Sequence, residues 1–340
     1  MDALQETRHT SEEFNPCLLA SLRFLSSLAS FVALSIAVVV LVGWIAQPST
    51  LVLPEYRSIV MGPNTALAFI LCVICMWVGG PGERGARRVF KVLCAAIVFL
   101  LGAITVVEHV FDLRFPTDYL LLAILRPDQT LTDAWRMASL TGIGLVFISF
   151  SLIAAMQSSE ISARAAQLNA TVPFLAALVG LVDLLINNPL ESQVHMPVTT
   201  VLGLALMSIA ILLWRPYEGV MRVIAANGLG GSMARRLVPA AIVVSVLITW
   251  LRWRGQTDGY YQAELGAALG VAIQVILFAW LILANANYLE EADQLRKRAE
   301  EVAYREYEKT QQRAATQIAQ LLARAKELER QREDRRATSP

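Results

Sequence analysis

Apolar residues fall along this chain in long blocks separated by short polar connections. Eight mostly apolar runs cover 24–45, 61–78, 89–107, 137–156, 172–186, 198–214, 237–253 and 265–283. Roughly 20 such residues in a helix cross about 30 Å of hydrocarbon. The pattern predicts an all-α integral membrane protein with eight transmembrane helices arranged as four hairpins. The fifth run is the shortest and carries Asp183 near its end; if it fails to span, the two chain ends fall on opposite sides.

Three of these runs begin alike. "MGPNTALAF" starts at Met61, "MASLTGIGL" at Met137 and "MPVTTVLGL" at Met196, and in each a Thr follows the Met by four residues: Thr65, Thr141 and Thr200. All three lie where the chain re-enters from outside. A fourth copy is divergent, with Glu264 in place of the Met/Thr pair. Repeated units in a membrane fold commonly pack around a shared cleft. Asn64, Thr65, Thr141, Thr199 and Thr200 are therefore candidates to converge on one outer-facing polar pocket. Helix capping and close packing by the same side chains are the alternative reading.

Composition agrees with the pattern. Hydrophobic residues make up 56% of the 340 and charged residues only 17%. The charge is concentrated in the last fifty or so positions, so the sum of +1 says little about partners. Arg84, Arg87, Arg88 and Lys91 mark one connection, and Arg215, Arg222, Arg235 and Arg236 another. The positive-inside rule puts both in the cytoplasm, together with both termini. The first residues are acidic and polar, unlike a cleaved secretory signal. Cys72, Cys75 and Cys94 sit in or beside apolar runs, where packing explains them better than disulfides or metal.

Beyond residue 285 the composition changes to Glu, Gln, Arg, Ala and Leu, without Gly or Pro until Pro340. Apolar positions recur at steps of three and four, with a frame break near Val302. This predicts a long cytoplasmic coiled-coil helix, paired in a homodimer, with Tyr288, Leu295, Val302, Tyr307, Ile318, Leu321 and Leu328 along its seam. A single solvated helix is the alternative. The domains expected are 1–22, a cytoplasmic N-terminal segment; 23–285, the membrane domain; 286–335, the coil; and 336–340, a disordered tail.

Candidate chemistry is sparse. His109 and His195 fall at one membrane level with Glu108 nearby, a pair able to hold haem or metal, although wet interfacial histidines need no such role. No cofactor is expected. Ionisable residues at outer helix ends (Glu108, Asp183 and Glu264) mark a candidate polar site, because charge near hydrocarbon is costly unless paired or wet. The four lysines, Lys91, Lys297, Lys309 and Lys326, all lie away from mid-membrane, which argues against a retinal Schiff base. No P-loop, His-Glu-x-x-His or Gly-x-Ser-x-Gly motif occurs, so no catalytic role is expected.

"FDLRFPTDYLL" from Phe111 followed by "WRMASLTGIGLVF" from Trp135 resembles the outer loop and return helix of multi-pass input regions in bacterial sensor proteins. Those regions precede PAS, histidine-kinase or diguanylate-cyclase modules. "MGPNTALAF" and "GGSMARRLVPAAI" extend the resemblance over most of the membrane part. It implies a bacterial inner-membrane signalling role, as in two-component systems, and it adds Asp112 and Asp118 as candidate site residues. No phosphoacceptor box, ATP lid or cyclase motif is found in this sequence, so the signal is expected to pass through the last helix to a cytoplasmic signalling protein or to a missing output domain, with lipid around the helices and no nucleic acid. A small-molecule carrier and a scaffold that anchors a partner are the alternative functions.

Overall fold

The computed structural model describes residues 16–46, 59–78, 80, 82–113, 137–186, 196–226, 229–262, 265–280, 282–283, 301, 304 and 309. Nine helices lie among the described residues. In chain order they are α1 (Pro16–Ala46), α2 (Pro63–Trp77), α3 (Ala86–Val110), α4 (Ser139–Ala155), α5 (Glu160–Ile186), α6 (Val198–Trp214), α7 (Met221–Ala225), α8 (Leu229–Thr257) and α9 (Leu265–Trp280). The chain divides into two compact units, Met1–Leu277 and Phe278–Pro340.

Among the described residues four helices, not eight, are long and apolar enough to cross a membrane: α1, α3, α5 and α8. The architecture is that of an all-helical, multi-pass membrane protein. The other apolar helices are shorter; α2 has 15 residues, and α4 and α6 have 17 each. At 1.5 Å per residue they reach only about 22–26 Å. The apolar runs overstate them because Met61–Gly62 and Met137–Ala138 are extended rather than helical. The fifth run, conversely, belongs to a 27-residue helix with Pro173 inside it. Its polar first turns do not register as apolar sequence.

Nor do the helices form four hairpins. α1 packs on α2 and α6, α3 on α2 and α4, and α5 on α4 and α6, which closes a ring of six. The short helices α2, α4 and α6 also touch one another and so occupy its centre. Each long helix therefore serves two inner neighbours, and no pair is separable. α8 stands outside the ring, packed on α5 and α7.

The ring has a threefold repeat. In α2 the buried positions include Thr65, Ala66, Ala68, Phe69, Cys72, Val73, Cys75 and Met76. The matching positions counted from Thr141 and Thr200 are buried in α4 and α6. At the centre the repeats interlock. A Cβ on Gly144 would meet Leu204 at 2.9 Å, and one on Gly203 would meet Phe69 at 2.5 Å. Small and large residues thus alternate around the axis, which permits close packing without voids. The outer helices face lipid with Phe31, Val39, Leu93, Leu100, Leu168 and Leu175, all more than half exposed. Exposed apolar surface on this scale is what a hydrocarbon solvent requires.

The basic connections meet at one end of the ring. Gly82 N–H donates to Met156 O at 2.9 Å and Arg215 Nη1 to Gln157 O at 2.9 Å, so both connections gather on the end of α4. Lys91 is buried there and donates to Gly80 O at 3.1 Å. The coiled coil expected over 286–335 has no counterpart among the described residues. Only Glu301, Tyr304 and Lys309 of that stretch are described, and Tyr288, Leu295, Val302, Tyr307, Ile318, Leu321 and Leu328 lie outside them.

Candidate functional site

The opposite end of the ring is built by the three Met-x-x-x-Thr starts. The N-caps Gly62, Ala138 and Pro197 are extended, with ψ of 157°, 144° and 149°. None makes a side-chain capping bond. Capping therefore does not explain the repeat. The Met preceding each cap is buried against an outer helix instead. Met137 Sδ lies 3.5 Å from Thr105 Oγ1, and Met196 Cε abuts Gly180. Met61 is held differently, with Trp44 Nε1 donating to its carbonyl at 3.0 Å.

Thr65, Thr141 and Thr200 occupy the third position of their helices and are buried to 3%, 1% and 2% exposure. Each stands one turn before a fully buried residue, Phe69, Leu145 or Leu204, of which Phe69 and Leu204 interlock with neighbouring inner helices. Residues four apart share a helix face. The three hydroxyls therefore form a tier directly above the closed centre. Asn64 is buried beside Thr65. Thr199 is not part of the tier: its Oγ1 donates to Ile59 O at 2.9 Å and accepts from Met61 N–H at 2.8 Å. It pins the start of α2 to the start of α6.

Two carboxylates join this collar. Matching the buried stripes of the outer helices pairs Ala37 with Gly102 and Ala177, and Val40 with Thr105 and Gly180. Three residues further on come Gly43, Glu108 and Asp183. Glu108 and Asp183 are 1% and 2% exposed. Each lies one turn beyond the residue that touches the Met of the following inner helix, and so beside the start of α4 or α6. A helix N-terminus carries about half a positive charge, which favours an anion there. The third repeat has Gly43 at this position and the buried Trp44 next to it.

The remaining sequence candidates separate from the collar. His109 is half-buried, and its Nδ1 lies 2.9 Å from Thr105 O, the carbonyl one turn back, to which it donates. Its proposed partner His195 lies outside the described residues, as do Asp118 and Glu264. Asp112 is exposed, in the left-handed region at φ 48°. Leu113 N–H bonds Glu108 O at 3.0 Å across it, so Asp112 terminates α3. Asp112→Gly should leave thermal stability unchanged or raise it by up to about 1 kcal/mol, since glycine adopts this conformation without strain. A fall in melting temperature would show that the carboxylate itself contributes.

Cys72, Cys75 and Cys94 are free and buried in the packed ring, with Cys75 Sγ 3.7 Å from Lys91 O. No group of three or more His, Cys, Asp or Glu able to hold a metal occurs among the described residues. Sequence reasoning missed Gln167, whose buried amide organises the basic end, and a cavity beside Arg23 and Arg215. A lone Gln and scattered arginines carry no spacing signal. Comparison with family models, curated proteins and solved structures finds no match to this chain.

Proposed function

We propose that this protein is a membrane signal-sensing module. A stimulus at the collar changes the packing of α2, α4 and α6, and the change reaches a cytoplasmic partner at the basic end. The observation that carries this reading is the register of the repeat. The buried Thr of each inner helix sits one turn above a fully buried side chain, two of which, Phe69 and Leu204, lock against neighbouring inner helices while the third, Leu145, packs against α3, so displacement at the collar does not stay local. A tightly packed interior transmits strain because it deforms by switching between packings rather than continuously.

The same interlock disfavours the carrier alternative. Phe69, Leu145 and Leu204 are fully buried, and Phe69 and Leu204 close the axis with apolar side chains among the described residues, which supports a closed centre rather than a polar path. The arginines and lysines of the basic end support a cytoplasmic side for it, and the bacterial inner membrane rests on the resemblance to sensor input regions.

Hydrogen–deuterium exchange on the full chain in lipid nanodiscs tests the reading. Thr141→Val with Glu108→Gln should alter exchange at residues 82–88 and 215–221, across the bundle, by about 2- to 30-fold, the range of a coupling of about 0.5–2 kcal/mol. Changes confined to the collar would leave a static anchor, the scaffold alternative, as the better account.

A further inference from the structure

The end of the ring opposite the collar contains a cavity of about 400 Å³ between α1 and the end of α6, lined by Arg23, Ser26, Ser27, Trp214, Arg215 and Tyr217. Arg23 stacks over the Tyr217 ring, 5.2 Å from its centroid, and no carboxylate pairs with it among the described residues. Arg215 is more than nine-tenths buried. Its Nη2 meets Glu218 Oε2 at 2.6 Å and its Nη1 donates to Gln157 O, while its buried Nε–H has no hydrogen-bond partner among the described residues. Ser26 donates its hydroxyl to Ala210 O at 2.6 Å and keeps its oxygen lone pairs as acceptors only. Among the described residues two guanidinium groups thus face one carboxylate, and their balance is positive.

We infer that this cavity binds a phosphate group, with Arg23 and Arg215 as its cationic partners and Ser27 as a hydroxyl donor. Guanidinium forks match phosphate oxygens in geometry and charge. A cation stacked on Tyr217 is already oriented, and a buried donor with no acceptor among the described residues suits an anion that supplies one. The rim is apolar where α1 faces lipid: Phe24 and Leu28 are 69% and 45% exposed. A basic pocket between helices with an apolar rim suits the headgroup of an anionic phospholipid. Free phosphate shares the same chemistry. The site lies across the bundle from the collar and does not depend on the sensing proposal.

The full chain, purified in mild detergent, is titrated with phosphatidylglycerol and with phosphatidylcholine under native mass spectrometry, and with inorganic phosphate by calorimetry. Preferential retention of phosphatidylglycerol, weakened about tenfold or more by Arg23→Gln and blocked by Ser27→Phe, supports a lipid headgroup. Both substitutions fall at exposed positions, and an unchanged melting temperature verifies the fold. Phosphate binding with the same loss and no lipid preference supports the site with a soluble ligand. Equal retention of both lipids without phosphate binding overturns it, as does anion binding that neither variant changes.

Discussion

Gly102→Ala is expected to destabilise the membrane domain by about 3 kcal/mol, through the separation of α3 from α4. An added Cβ would stand 2.7 Å from Gly142 O, 3.0 Å from Val146 N and 3.1 Å from Leu145 Cβ. Two of these are backbone atoms of a packed helix and cannot rotate away. Gly142 faces the same contact from the other side, where its own Cβ would meet Gly102 O at 3.0 Å. Glycines that let two backbones approach this closely are a main source of helix association in a membrane, where lipid removes the hydrophobic drive. Gly230 is the control: it is helical and a Cβ there meets nothing within 4 Å. Gly230→Ala should raise stability by up to about 1 kcal/mol through helix propensity alone. Unfolding in detergent, followed by circular dichroism against temperature, reads both. Equal effects would mean that α3 and α4 do not approach at Gly102.

The sequence revealed the inner helices better than the outer ones. Met61, Met137 and Met196 repeat with Thr65, Thr141 and Thr200 at fixed spacing, and the three share one environment. Their role was less legible. The Met reads as the first residue of a span, but it is an extended plug against the preceding outer helix. The outer repeat has no motif to find. Its stripe runs through Ala37, Gly102 and Ala177, small residues chosen for close approach, so the equivalence of Glu108 with Asp183 emerges only from burial. Span length misled for a related reason. An apolar run reports transfer to a dry environment, and an inner helix wrapped by other helices is dry without matching the thickness of hydrocarbon. Conversely, Gln167 and Asn169 made α5 look short, because polar residues satisfied inside the protein read as membrane exits.

Gln167→Leu should cost about 3–5 kcal/mol, close in size to the loss of a buried ionic partner. Gln167 is 2% exposed, and its amide is used at both ends. Its Oε1 accepts from Val220 N–H at 2.6 Å and Met221 N–H at 3.2 Å, and its Nε2 donates to Arg215 O at 3.3 Å and Glu218 O at 3.0 Å. Leucine fills a similar volume and leaves four backbone groups without these partners. Each buried backbone group so stranded costs about 1–3 kcal/mol before water or local rearrangement recovers part of it. The connection cannot rearrange freely. Gly219 takes φ 64° so that the chain can turn over the amide, and a Cβ there would strike Gln167 Oε1. Gln167→Glu separates the two ends of the side chain: the acceptor for Val220 and Met221 survives, while a carboxylate now faces two carbonyls. Its cost should fall between wild type and Gln167→Leu, with exchange protection kept at residues 220–221 but not at the level of wild type. Gly219→Ala combined with Gln167→Leu should cost less than the sum of the two, since both disturb one turn. Arg215 begins that turn. Gln167→Leu should therefore also weaken anion binding at the Arg23 cavity, although residue 167 does not line it. Retained exchange protection at residues 220–221 in Gln167→Leu would sink this account.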